Sequence, residues 1–132
     1  PITVFRAARP DNAVLADAIN RATAMAESAN VSLTYFVPAI GQMRGTDLRE
    51  VLPKKTLTDL FNSKLVLQNG KPVSRVSKIN PHHENGVILA LWTQPALVAD
   101  LEKCTLAYAV FVVTNTEHEL DEWIQKTGAV VA

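Results

Sequence analysis

Two stretches decide how this chain folds: Gly86-Val87-Ile88-Leu89-Ala90-Leu91-Trp92 and Leu106-Ala107-Tyr108-Ala109-Val110-Phe111-Val112-Val113. Each is a short apolar run without the alternation of a half-exposed strand, the pattern of strands covered on both faces. Between them, Thr93 reads as the cap of a helix that carries Pro95 in its first turn and Leu97, Val98, Leu101 and Cys104 on one side. A strand, a helix of this length and a second strand form a crossover, and a crossover demands parallel pairing. The strands at 87–92 and 106–113 are therefore expected to be parallel neighbours at the centre of a sheet.

The same logic extends outward. Downstream, Thr116 and Glu119 form a Thr-x-x-Glu capping box for a helix carrying Leu120, Trp123 and Ile124, which Gly128 stops before a last strand at Ala129 to Val131. Upstream, Ile2 to Arg6 reads as a strand. Asp11 or Asn12 then caps a helix whose apolar face is Val14, Leu15, Ala18, Ile19, Ala22, Met25, Ala26 and Ala29. Val31 to Ile40 is a second strand with Pro38 at its far end. Thr46 caps a short helix from Asp47 to Leu52, Pro53 ends it, and Thr56 with Asp59 starts another turn. Lys64 to Gln68, then Asn69-Gly70, then Lys71 onward predict a hairpin closed by a type I′ turn. The expectation is one α/β domain over residues 1–132: a mostly parallel central sheet flanked by helices, with the Asn-Gly hairpin as an insertion or antiparallel edge.

Composition limits what such a domain can do. The 132 residues carry 13 basic and 13 acidic groups, so no whole-molecule field draws the protein to nucleic acid or an anionic membrane. No apolar run is long enough to span a bilayer, and no basic leader precedes one. The single cysteine, Cys104, excludes an internal disulfide and suits a reducing compartment, which gives a soluble cytoplasmic protein as the expectation. The zero total hides a segregation, however. Residues 52–83 set Lys54, Lys55, Lys64, Lys71, Arg75 and Lys78 against Asp59 alone, while 84–132 set Lys103 and Lys126 against seven acids. With long apolar segments for short helices to cover, this predicts a homodimer with modest electrostatic steering.

In open α/β sheets, ligands sit beyond the carboxyl ends of the strands, where helix N-termini point. Arg6, Arg9 and Asp11 follow the first strand, Gln42 and Arg44 the second, Thr93 and Gln94 follow Trp92, and Thr114, Asn115 and Thr116 follow Val113. Arg9, Arg44, Thr93, Gln94, Asn115 and Thr116 are the candidate ligand-binding set, and hydroxyls, amides and arginine together suit a small anion. The same Thr93, Thr116 and Asp11 also serve simply as helix caps. The chain contains neither Gly-x-Gly-x-x-Gly nor a P-loop, so no nucleotide cofactor is expected.

Other reactive side chains fall short of a constellation. Pro81-His82-His83-Glu84-Asn85 gathers two imidazoles and a carboxylate, but adjacent histidines on extended chain point apart, so no metal site is expected. Cys104 on an apolar helix face reads as a small hydrophobe rather than a nucleophile. Lys64, Lys71, Arg75 and Lys78 lie on the hairpin without aromatic residues for base stacking, so edge-blocking lysines are favoured over a nucleic-acid ribbon. Pro1-Ile2-Thr3-Val4, followed by a helix to Asn30 and a strand at Val31, resembles the opening of the tautomerase superfamily. That resemblance covers the chain only to Ile40 and implies an N-terminal proline amine acting as a base. The second half departs from it, having two short crossover helices where one long helix is expected. The leading reading is a noncatalytic binding or interaction domain; an enzyme using Pro1 and a nucleic-acid accessory protein are the alternatives.

Overall fold

Six strands, β1 (Ile2–Phe5), β2 (Leu33–Phe36), β3 (Val73–Val76), β4 (Val87–Thr93), β5 (Ala109–Thr114) and β6 (Val130–Val131), form one sheet of order β3-β2-β4-β5-β1-β6. The computed structural model describes residues 1–8, 11–37, 48–81, 84–93 and 95–132. All named pairings are parallel, with Val87 opposite Ala109 and Leu91 opposite Val113 at the centre. The two apolar runs thus take the places their composition demands, buried along their whole strand lengths.

Among the described residues, five helices cover the sheet. α1 (Asn12–Ala29), α2 (Leu48–Val51) and α3 (Lys54–Phe61) share a core with Phe5, Tyr35, Leu89, Leu91, Phe111 and Val113 on one face. α4 (Pro95–Glu102) and α5 (Asp121–Thr127) share a core with Val4, Phe36, Ile88, Ala90, Val110 and Val112 on the other. The period of two along β4 and β5 sends alternate side chains to opposite helical layers. Connections toward the β3 edge run over the first face and those toward the β6 edge over the second, so the crossovers share one hand.

Local signals explain most element ends. Asp11 accepts a hydrogen bond from Val14 N at 3.1 Å and caps α1, while Asn30 closes it in the left-handed region at φ 57°. The α1 face includes Ala18, Ala22 and Ala26, all fully buried, which lets the helix lie close across β4 and β5. Gly128, at φ 72°, ends α5 as expected.

Several boundaries move. Leu106 and Tyr108 are exposed turn residues rather than the start of β5, because the buried stretch begins only at Ala109. Pro53 both follows α2 and occupies the N-cap of α3, whose first turn needs no N–H from it; Thr56 and Asp59 lie inside the helix. Asn69 keeps a negative φ and Gly70 alone of the pair is positive, at 81°. With Gly70 N bonded to Leu67 O and Leu67 N to Lys71 O, the turn is a type I turn plus a glycine bulge, not type I′. The hairpin amounts to an antiparallel bridge between Val66 and Pro72, after which the chain turns into the parallel edge strand β3. Thr46, Asp47 and residues 38–40 of the expected second strand lie outside the described residues.

Candidate functional site

Since every strand is parallel, all six carboxyl ends lie along one edge of the sheet. Outgoing connections part between β2 and β4: β2 leads toward β3 over one face, and β4 leads toward β5 over the other. Such a divergence opens the crevice in which α/β proteins bind ligands. β4 continues to Thr93 although its pairing with β2 stops at Ala90, so Leu91, Trp92 and Thr93 form the buried carboxyl end of β4 at this point of divergence.

That strand end is built unusually. The pairing of β4 with β5 steps from Leu91 opposite Val113 to Thr93 opposite Thr114, leaving Trp92 as an extra, bulged residue. Trp92 has φ 53°, a left-handed conformation that is costly for a bulky side chain and is found mostly where function or packing imposes it. The bulge keeps Trp92 on the α1 side with Leu91 and resets the alternation beyond it. Thr93 is consequently fully buried, and its hydroxyl makes no hydrogen bond among the described residues. It does not cap α4, because it still belongs to the strand and lies two positions before Pro95.

The neighbouring polar groups at this edge are engaged. Thr114, the cross-strand partner of Thr93, donates to Ala7 O at 3.0 Å and accepts from Ala7 N at 2.8 Å, tying the ends of β5 and β1 together. Arg6 bonds Asp121 through Nε at 3.1 Å and Nη2 at 3.0 Å. His118 Nδ1 stands 2.9 Å from the other oxygen of the same carboxylate. The N–H groups of Asn115 and Thr116, which would receive an anion, both donate to Glu119 Oε1, at 2.5 and 3.0 Å. The capping box therefore supplies an internal carboxylate, while α5 itself begins later, at Asp121.

Of the six residues singled out by sequence, Thr93, Asn115 and Thr116 come together at this edge, Thr93 on β4 and the other two just beyond adjacent β5. Arg9, Arg44 and Gln94 lie outside the described residues, as does Gln42. Sequence gave no warning of the Trp92 bulge, because a tryptophan in a strand run carries no mark of positive φ. Glu119 was visible as a capping residue but not as the occupant of the turn.

The remaining candidates separate. His82 and His83 lie outside the described residues, and Glu84 accepts a hydrogen bond from Thr34 Oγ1 at 3.0 Å. Pro1 is exposed at the start of β1, at the opposite edge of the sheet from Thr93. Cys104 is buried, its thiol donating to Asp100 O at 3.3 Å. Burial, reinforced by the negative charges of Glu84 and Asp100, pushes that thiol from an ordinary 9.0 up to about 11, the opposite of what a nucleophile needs. In the basic middle of the chain, Arg75 is engaged with the carbonyl and ring of Phe61. Lys54 and Arg49 line a hollow of about 550 Å³ with Leu52, Leu57, Thr58 and Phe61. Among the described residues no helix is long and apolar enough to cross a membrane.

Comparison with protein-family models, with curated proteins and with solved structures found no match.

Proposed function

We propose that this is a noncatalytic binding domain that takes a small anion at the carboxyl edge of the sheet, in the crevice between β2 and β4. One observation carries the reading: the Thr93 hydroxyl is fully buried without a partner among the described residues, on a strained bulge at the point where the connections diverge. A buried hydroxyl left unpaired costs about 1–3 kcal/mol, and valine would occupy the same space without that cost. A ligand oxygen accepting from Thr93, beside the first turn of α4, offsets it. The segments that follow β1, β2 and β4 from this edge also carry Arg9, Arg44 and Gln94, whose side chains suit an oxyanion.

The test is a thermal unfolding series of the full chain with inorganic phosphate, pyrophosphate and malonate. At least one anion should raise the melting temperature in a saturable way, by about 2.7 kcal/mol of stabilisation at a hundredfold excess over Kd. Thr93→Val should fold about 1 kcal/mol more stably without ligand and lose that response. Stabilisation lost in Lys54→Gln but kept in Thr93→Val would move the site to the hollow beside Arg49. The absence of any response to all three anions would defeat the reading.

Two further elements belong to the same proposal. The protein acts as a homodimer, for which the exposed apolar side chains of Leu106, Tyr108, Val130 and Val131 supply surface to be covered. Its setting is the cytoplasm, in keeping with a lone buried thiol.

A further inference from the structure

A second concavity lies away from the strand carboxyl ends, on the α1 side of the sheet, between the C-terminal half of α1 and the hairpin. It encloses about 240 Å³. Its apolar lining comes from Ile19, Leu33, Leu52, Leu65, Leu67 and Val73, and its polar lining includes Thr23, Glu27 and Gln68. Tyr35 also lines it. This side chain is only 3% exposed, yet its hydroxyl makes no hydrogen bond with the described residues. Its oxygen is not among the sealed, unpaired polar atoms, so it opens onto the cavity, where a group supplied from outside can take up the hydrogen bond that a tyrosine hydroxyl in an apolar setting ordinarily makes.

The electrostatics of the lining select the head group. Glu27 is the one charged side chain among the described lining residues. The nearest cation in the sheet, Arg75 opposite Tyr35 on β3, has its guanidinium on Phe61 O at 2.9 and 2.6 Å and over the Phe61 ring. Among the described lining residues an anionic head would meet a carboxylate and no cation. Burial keeps the Tyr35 hydroxyl protonated, and its oxygen can accept from an N–H while its proton goes to a second acceptor. The volume falls just below the usual range for drug-sized ligands, which limits the occupant to a small molecule.

We propose that the cleft between α1 and the hairpin is a binding site for a small apolar amine, with its hydrocarbon body on the aliphatic lining and its ammonium shared between Tyr35 and Glu27. This site is separate from the anion crevice and stands without it. Three probes with a common ring and chain test it by titration calorimetry on the full chain: 2-phenylethylamine, 2-phenylethanol and phenylacetate. The amine should bind most tightly, the alcohol more weakly, and the carboxylate not measurably. Tyr35→Phe should leave the unfolding midpoint unchanged, because the hydroxyl has no partner to lose, and weaken amine binding by roughly three- to tenfold. Glu27→Gln, at a half-buried surface position, should bring the amine down to the affinity of the alcohol. Failure of the amine to bind at millimolar concentration, equal binding of amine and carboxylate, or an unchanged affinity in Tyr35→Phe would each overturn the proposal.

Discussion

Gly86 sits where a side chain has no room. A Cβ built there would lie 2.3 Å from the carbonyl oxygen of Ser32, which accepts the hydrogen bond from Val87 N that starts the pairing of β4 with β2. The obstructing atom is backbone, so no rotamer change can relieve it. Gly86→Ala should therefore cost about 3 kcal/mol, the upper end for overpacking, seen as a lower urea midpoint with unchanged slope. An unchanged midpoint would mean that the two strands can separate there freely. Thr93 at the other end of β4 is the converse case, a side chain with space and no partner. The strand that forms the centre of the core thus begins at a steric constraint and ends at a polar one. Neither was legible: sequence shows a glycine before an apolar run but not the carbonyl that closes on it, and the failure of a threonine to find a hydrogen bond is likewise a property of three dimensions.

At the scale of elements, what was legible follows from periodicity, and what was not follows from competition between neighbouring signals. The span of α1 follows its sequence because one face repeats at helical spacing over many residues and Asp11, rather than Asn12, supplies the cap, although Met25 of the expected apolar face is exposed. The α5 region offered Thr116, Glu119 and the acidic pair Asp121 and Glu122 within a few residues, and the chain divides them between the turn and the helix start. Glu119 turns back to the N–H groups of Asn115 and Thr116, and α5 starts from Leu120 with Asp121 and Glu122 in its first turn, where the helix dipole favours them. This makes the β5–α5 turn a site of self-occupancy. Glu119→Ala should destabilise the protein by about 1–2 kcal/mol, since bonds to a charged acceptor are stronger than average but this turn is partly solvated. Glu119→Gln should restore part of the loss, measured by the same denaturant titration, because a neutral oxygen still accepts. An equal loss for both variants would show that charge rather than hydrogen bonding holds the turn.

At the scale of the whole molecule, the parallel sheet follows from two crossovers, but the strand order β3-β2-β4-β5-β1-β6 does not. Nothing local to Ile2–Phe5 distinguishes a place beside β5 from one beside β2; the placement depends on α1 spanning β4 and β5, which were themselves recognisable only as buried runs. The order leaves two dissimilar edges. On β3, Ser74 is exposed and Arg75 is half-buried, so polar side chains occupy that rim. On β6, Val130 is 62% and Val131 39% exposed, and no charge, proline or bulge interrupts Gly128 to Ala132. Apolar edges without such protection are where sheets join. The proposed homodimer is accordingly expected to pair β6 with β6 of a second copy, an isologous contact that buries both valines and continues the sheet. Charge segregation adds only steering, because exposed ion pairs contribute little and are screened by salt. Sedimentation at micromolar concentration should then report a dimer at low and high salt alike, and Val131→Lys should yield a monomer with an unchanged unfolding slope. A monomeric wild-type mass at both salt concentrations would exclude the assembly, and a dimer that survives Val131→Lys would shift the contact to Leu106 and Tyr108 at the opposite end of the strands.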